Sequence, residues 1–369
     1  MNLVADSLLE GLRENHADAF DAVRVCPPMR RRFTRAGDEA AGARFNADRL
    51  LNRFRDYPHF LRGRARDFDL FHVVDHSYAH LLHSLPHERT VVTCHDLDTF
   101  RCLLEPQAEP RSAPFRAMTR RVLDGFRKAA RVACDSRATR DELLAHRLIA
   151  PERVVVIPNG VHPALSREPN DDADREAARL LGPRGESSLE LLHVGSSIPR
   201  KRIDVLLKVF AAVREEFPRA RLVRVGGRLD AAQAAAVEKL KLRDAFVELP
   251  YLEAGVLAAV YRRAALALLP SEREGFGLPV VEALRCGTPV VASDLPVLRE
   301  VGGCGAVAYR PVGDVPAWAE EIARLLRERA SDPEAWAGRC DAGVLHASQF
   351  TWDAYVRNVV ALYRDLLGA

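Results

Sequence analysis

Short apolar runs rich in Val, Leu and Ile alternate with longer amphipathic stretches along most of the chain. Runs of that length read as strands buried on both faces of a parallel sheet, and the amphipathic stretches as the helices that cover them. In the first half the pattern predicts strands at 70–74, 90–94, 132–134 and 154–157. In the second half it predicts strands at 189–194, 222–225, 245–248, 266–269, 289–292 and 306–309. The fold class is therefore α/β, with two Rossmann-like, doubly wound domains, each built on its own sheet.

The predicted domains are residues 1–165 and 188–349, joined by a linker over 166–187 that is rich in Pro, Asp, Gly and Ser, with one short polar helix around 174–181. The amphipathic stretch 352–367 predicts a last helix, within a tail of 350–369 that packs back on the first domain. Between it and a helix over 318–329 lies a weakly patterned segment. Residues 3–13 already read as an amphipathic helix, where a doubly wound domain ordinarily opens with a strand and a glycine-rich turn. The first strand of the N-terminal domain is missing from the pattern.

Composition narrows the function classes. A net charge of +3 over 369 residues is too mild for a nucleic-acid binder, in which a basic stripe dominates. Arginines nevertheless cluster in the first half, at Arg30 to Arg32, Arg62 to Arg66 and Arg116 to Arg131, and fit either a solvated surface or contact with an anionic membrane or acceptor. The seven cysteines form no CxxC pair and read as reduced thiols of a cytoplasmic protein. The chain contains no run of apolar residues long enough to span a bilayer.

Candidate chemistry concentrates in two segments. In HVGSSIPRKRIDVLLKVF a strand runs through Gly195, Ser196 and Ser197 into Arg200, Lys201 and Arg202, just where a helix begins. Cations there oppose the helix dipole by about 0.3–1 kcal/mol, which points to an anion between them and the helix, diphosphate being the natural one. In LLPSEREGFGLPVVEALRCGTPVVASD, Glu274 precedes Gly275, Phe276 and Gly277 in a loop, and Glu282 stands eight positions later, one turn into the helix that Pro279 helps to open. Free N–H groups at such a start attract a phosphate or a sugar hydroxyl. The series His72, His76, His80, His83 and His87 has helix-like spacings, but no carboxylate and cysteine set completes a tetrahedral metal site, and it reads as a strand end followed by an exposed helix.

GSSIPRK and EGFGLPVVEALRCGTPVVASD together resemble the donor-binding half of the family 4 glycosyltransferases, enzymes of the GT-B fold. TVVTCHDLDTF, FRKAARVACDSRATRDELL and VVVIPNGV extend the resemblance to nearly the whole chain from Phe71 onward. It implies two Rossmann-like domains facing across a cleft, and a retaining, metal-independent transferase of hexosyltransferase type, with no cofactor. The implied donor is a UDP- or GDP-sugar. The implied acceptor is a glycan or lipid-linked molecule of cell-surface polysaccharide or glycolipid synthesis, handled in the cytoplasm or at the inner face of the membrane.

On this sequence the resemblance places Arg200 and Lys201 at the leaving diphosphate, Glu282 at the ribose hydroxyls, and Glu274 with the N–H groups of Phe276 and Gly277 at the transferred sugar. His95, followed by Asp96, is implied to face the cleft from the first domain, holding the sugar or handling a proton. Ser136, Asn159 and Gly160 line the cleft or hinge, or simply cap and turn. Two departures stand out: Ser196 follows Gly195 where many members carry arginine, and the family's opening strand and glycine loop have no counterpart. A non-catalytic GT-B partner subunit and a nucleotide-sugar epimerase remain alternative readings.

Overall fold

The computed structural model describes residues 2–35, 37, 42–182, 189–303 and 305–368, and these fall into two compact units. The first comprises Met1–Pro158 and Trp352–Ala369, the second Asn159–Thr351. All ten predicted strands form, three with the predicted bounds and the others with edges displaced by one or two residues. Of the expected linker, residues 166–182 lie in the second unit, and 183–187 lie outside the described residues.

The first unit is a four-stranded parallel sheet in the order β1 (Phe71–Val73), β2 (Thr90–Cys94), β3 (Arg131–Cys134) and β4 (Val154–Val156). Side chains alternate along each strand, so the two faces find different cover. Val91 and Ala133 pack against the helices Asn2–Asn15 and Trp352–Leu367. Val92, Val132 and Cys134 pack against the 3₁₀ segment His76–His83 and the helix Ala113–Phe126. That second contact is tight enough to require glycine, because a Cβ on Gly125 would lie 2.1 Å from the Ala79 carbonyl oxygen. Among the described residues no strand precedes Phe71.

The second unit is a six-stranded parallel sheet over β5 (Leu189–Val194), β6 (Ala220–Val225), β7 (Phe246–Leu249), β8 (Leu266–Leu269), β9 (Val290–Ser293) and β10 (Val307–Arg310). Its order is β10-β9-β8-β5-β6-β7. The sequence of connections reverses between β5 and β8, and in an open parallel sheet ligands bind outside the carboxyl ends of the strands at such a switch point. The core gathers Leu191, Leu222, Leu266 and Val291 against Phe210 of the helix Ile203–Glu216 and Trp318 of the helix Val315–Ser331.

Two helices differ from expectation. Asp171–Leu181 is capped by the Asn170 side chain on the Ala173 N–H at 3.0 Å and buries Ala173, Ala177 and Leu181, one per turn. Its Asp174 meets Arg262 at 2.6 Å, which fastens the segment to the second unit. The weakly patterned stretch is the helix Pro333–Ala347, started by Asp332 accepting from the Ala335 N–H at 2.9 Å.

Candidate functional site

The second unit brings the candidate donor residues together at its switch point. Beyond β5 the chain turns at Gly195, and beyond β6 at Gly226, whose φ of +142° and close approach both demand glycine: a Cβ there would lie 2.1 Å from the Gly195 carbonyl oxygen. The two turns are braced from beneath by Arg224, which is fully buried. Its guanidinium donates to the carbonyls of Gly227 and Gly195 and to Ser197 Oγ, the last at 2.7 Å. Gln233 Nε2 adds a bond to the Ser197 carbonyl at 2.9 Å. Ser196 sits in this braced loop, after Gly195.

The expected helix-start cations stand in a short 3₁₀ turn, Pro199–Lys201, ahead of the helix itself, which begins at Ile203 after Arg202 in the left-handed conformation. The anion they face in this arrangement is a side chain. Lys201 Nζ lies 2.5 Å from Glu274 Oε1, and Arg200 Nη1 lies 3.4 Å from Oε2 and donates to the Arg273 carbonyl at 2.8 Å. Lys201 is 8% exposed and the Glu274 side chain 6%, so two cations share one carboxylate in a poorly hydrated place. Charges so placed have little water to screen them.

Glu274, Gly275 and Phe276 form the loop after β8, and Gly277, with φ +89°, leads into the helix Leu278–Arg285. The Phe276 ring is buried edge-on against Phe350 at 5.7 Å, so it anchors the loop. Glu282 lies on that helix, half-buried, and accepts from Tyr261 Oη at 3.0 Å. Burial pushes its carboxyl pKa up, against the Tyr261 hydrogen bond and the charge of Lys201. Below Gly195, buried His193 donates Nδ1–H to the Leu268 carbonyl at 3.0 Å, and its Nε2 has no hydrogen-bond partner. Burial, then the charges of Lys201 and Arg224, carry its pKa to about 4 against that bond, so the ring is neutral. Asn159 and Gly160 are buried at the start of the second unit, next to Val161, which pairs with Thr351.

His95 lies in the first unit, beyond β2. Its Nδ1 is 2.7 Å from Asp135 Oδ2 and its Nε2 is 2.9 Å from the Val74 carbonyl oxygen. A carboxylate and a carbonyl only accept, so both ring nitrogens carry protons and the ring is an imidazolium. Burial opposes that charge, but Asp135, the Val74 carbonyl and Asp75 outweigh it and raise the pKa to about 9. Neither nitrogen is left to accept a proton. Asp96 approaches His76 at 3.7 Å, and Ser136 caps the helix Arg137–Ala145 through the Thr139 N–H at 3.1 Å.

The histidine series differs from the exposed helix read from its spacing: His76 and His80 are buried in the 3₁₀ segment, and His72 bridges Tyr363 Oη at 2.6 Å and Thr93 Oγ1 at 2.7 Å. Among the described residues no three His, Cys, Asp or Glu side chains are placed to hold a metal ion. Of the cysteines, Cys94, Cys102, Cys134, Cys286 and Cys340 are buried free thiols, Cys26 is exposed, and Cys304 lies outside the described residues. No described helix is long and apolar enough to cross a membrane.

Four residues of these sites were not singled out from the sequence: Arg224, His193, Tyr261 and Asp135. For two of them a signal was present, since Arg224 and His193 are polar residues inside strands that are mainly apolar and mostly buried.

Residues 3–165 match the family described as Glycosyltransferase Family 4, and residues 175–338 that described as Glycosyl transferases group 1. The D-inositol 3-phosphate glycosyltransferase of Segniliparus rotundus is 36% identical over 227 residues, covering 59% of this chain and 48% of that protein. The chain thus spans about half the length of the curated relatives it matches. Among solved structures, the sucrose-phosphate synthase of Thermosynechococcus elongatus superposes with a TM-score of 0.71 at 24% identity, over 87% of this chain and 80% of that one. HepE of Anabaena, solved in complex with UDP and glucose, superposes with a TM-score of 0.69 at 18% identity, over 85% and 82%.

Proposed function

The chain belongs to the family 4 glycosyltransferases and has their GT-B fold, and we propose that it transfers a sugar, with retention, from a nucleotide-diphosphate donor bound at the switch point of the second unit. The observation that carries this is the pairing of Arg200 and Lys201 with the single carboxylate of Glu274 outside β5 and β8. Two fixed cations stand where a diphosphate would accumulate charge on departure. Such preorganised charge stabilises a leaving group without reorganisation at the moment of reaction.

In this reading Glu282, held by Tyr261, accepts from the ribose hydroxyls, and Glu274 turns toward the transferred sugar as the diphosphate takes over its cations. The leaving phosphate takes the acceptor's proton on the same face, because the candidate site supplies no carboxylate assigned to a double displacement. Arg200 and Lys201 do the work that a metal ion does elsewhere. HepE's complex with UDP and glucose makes a UDP-sugar the first donor to test. The acceptor is a glycan or a lipid-linked molecule of cell-surface synthesis, and the name of the Segniliparus relative adds a phosphorylated cyclitol to the acceptors to be tried.

A thermal-shift screen of UDP-, GDP- and ADP-sugars without added metal tests the donor site. A ligand at one hundred times its Kd adds about 2.7 kcal/mol. Stabilisation by one nucleotide class that is lost in Lys201→Ala and Glu282→Ala is the expected result. A melting point indifferent to every nucleotide sugar would overturn the reading.

A further inference from the structure

Lys201 is buried, and its ammonium is held by little. Among the described residues Glu274 Oε1 is its one hydrogen-bond partner, at 2.5 Å, although a lysine ammonium carries three N–H groups. Glu274 is also the group that the transferase reading turns toward the transferred sugar. Once it turns, a flexible four-carbon stem has to keep the ammonium on the diphosphate, and without an acceptor behind it the side chain regains rotamer freedom and loses aim.

A second acceptor stands beside it. The His193 ring is fully buried in β5, and its Nδ1 gives its hydrogen to the Leu268 carbonyl at 3.0 Å. A carbonyl only accepts, so the lone pair of the neutral ring is on Nε2, which has no hydrogen-bond partner. Gly195 locates that lone pair: a Cβ there would lie 3.5 Å from His193 Nε2 and 3.7 Å from Lys201 Cε, so the unused acceptor and the end of the lysine stem border the same point beneath the turn. The charged groups that bear on the ring are Lys201, Arg224 and Glu274. Arg224 is fixed through both Nη groups to the Gly227 and Gly195 carbonyls and Ser197 Oγ, which leaves Lys201 as the cation able to turn.

We infer that His193 is a positioning residue of the donor site: when a nucleoside diphosphate displaces Glu274, His193 Nε2 accepts one N–H of Lys201 and keeps the others aimed at the phosphates. A neutral acceptor suits this task, because it holds the ammonium without weakening its attraction for the phosphates as a carboxylate in the same place does. The burial that keeps the ring unprotonated is then part of its use, since an imidazolium has no lone pair to offer and repels Lys201. The inference deepens the transferase reading and rests on it, so its test separates the two.

The full chain, labelled with ¹⁵N-histidine and assigned with His193→Gln, is titrated at neutral pH with UDP, GDP and ADP in turn. In the complex the His193 Nε2 resonance is expected to move as that of a neutral nitrogen that gains a hydrogen bond, while Nδ1 keeps its proton. Calorimetry measures the consequence. His193→Phe keeps a ring and removes the acceptor, and should weaken diphosphate binding about tenfold; His193→Gln, whose amide oxygen reaches the same place, should restore most of it. A histidine that only fills the core would not favour glutamine over phenylalanine. Thermal melting without nucleotide identifies variants that remain folded, and where neither does, the resonance of the wild-type ring decides. A wild type that binds a nucleoside diphosphate with Nε2 unmoved or protonated overturns the inference and leaves the donor site standing, as does His193→Phe with unchanged affinity. A wild type that binds none of the three overturns both.

Discussion

Changing Asp135 to Asn removes the one carboxylate in hydrogen-bond contact with His95, 2.7 Å from its Nδ1, while keeping the shape of the side chain. In the folded protein the imidazolium pKa is raised from 6.5 to about 9. A raised pKa contributes stability that is fully present below the unfolded value and is lost as pH climbs through the folded one. The interval of about 2.5 pH units corresponds to about 3 kcal/mol at 1.36 kcal/mol per unit. Because the His95 side chain is only 20% exposed, water screens little of this. Wild type is therefore expected to lose stability between pH 6.5 and 9, and Asp135→Asn to be weaker than wild type at pH 6 by up to that amount. The gap closes as the pH rises. Urea unfolding at pH 6, 7.5 and 9 measures the energy, and ¹⁵N-histidine NMR, assigned with His95→Gln, follows the ring itself. A wild-type ring that titrates near 6.5, or a variant that keeps the raised midpoint, would refute the doubly protonated staple.

On the acid side, His72, His80 and His193 have folded pKa values of about 3, 4 and 4, all depressed chiefly by burial. They are held neutral, so their contribution is present above pH 6.5 and falls away below it; chemical denaturation between pH 7 and 5 should show a steep loss, and a flat profile would count against the burial argument. Arg224→Met leaves the Gly195 carbonyl and Ser197 Oγ without their guanidinium donor and takes one of two donors from the Gly227 carbonyl; a cost of about 3 kcal/mol, or roughly 6–12 °C in Tm, is expected together with weaker donor binding. A near-normal Tm would show that the two glycine turns hold without it. Tyr261→Phe removes the hydroxyl at 3.0 Å from Glu282, costs about 1–2 kcal/mol, and drives the Glu282 pKa further up; nucleotide-sugar affinity should then weaken as pH falls, measured by calorimetry at pH 6 and 8. The same pH dependence in wild type and variant would dissociate Glu282 from the nucleotide.

The residues that could be read from the sequence are those whose partners lie close along the chain. Each strand is a short run dominated by apolar residues, so its existence needed no knowledge of its neighbours. The segments 195–201 and 274–282 were legible for a related reason: each couples a strand end, a glycine turn and a helix start within ten residues. What escaped depends on strand order. Arg224 reaches Gly195 and Ser197 only because β6 lies beside β5, and Asp135 meets His95 only because β3 lies beside β2. The helix Pro333–Ala347 escaped because small residues dilute its apolar face, and its Asp332 cap carries a signal no stronger than that of a turn. Asp171–Leu181 was read three residues short at its start, because aspartates that look like linker are in fact a capped, acidic first turn.

The same dependence on neighbours bears on the donor site. Opposition of Arg200 and Lys201 to a helix dipole, the argument available from sequence, does not apply in that form, because both stand in a 3₁₀ turn that ends before the helix begins. The case for an anion survives on different ground. Glu274 reaches both cations across the switch point, from the loop after the strand that the chain order places three positions later. A second carboxylate in direct contact with the same two cations would weaken their attraction for a diphosphate. A site with none would leave both cations stranded in a poorly hydrated place. Glu274 holds Arg200 and Lys201 in position when no ligand is bound and competes with a ligand's phosphates for them. Glu274→Gln is therefore expected to lower stability in the absence of nucleotide while strengthening the binding of free nucleoside diphosphate, a pair of opposite effects that a purely sugar-contacting glutamate would not produce.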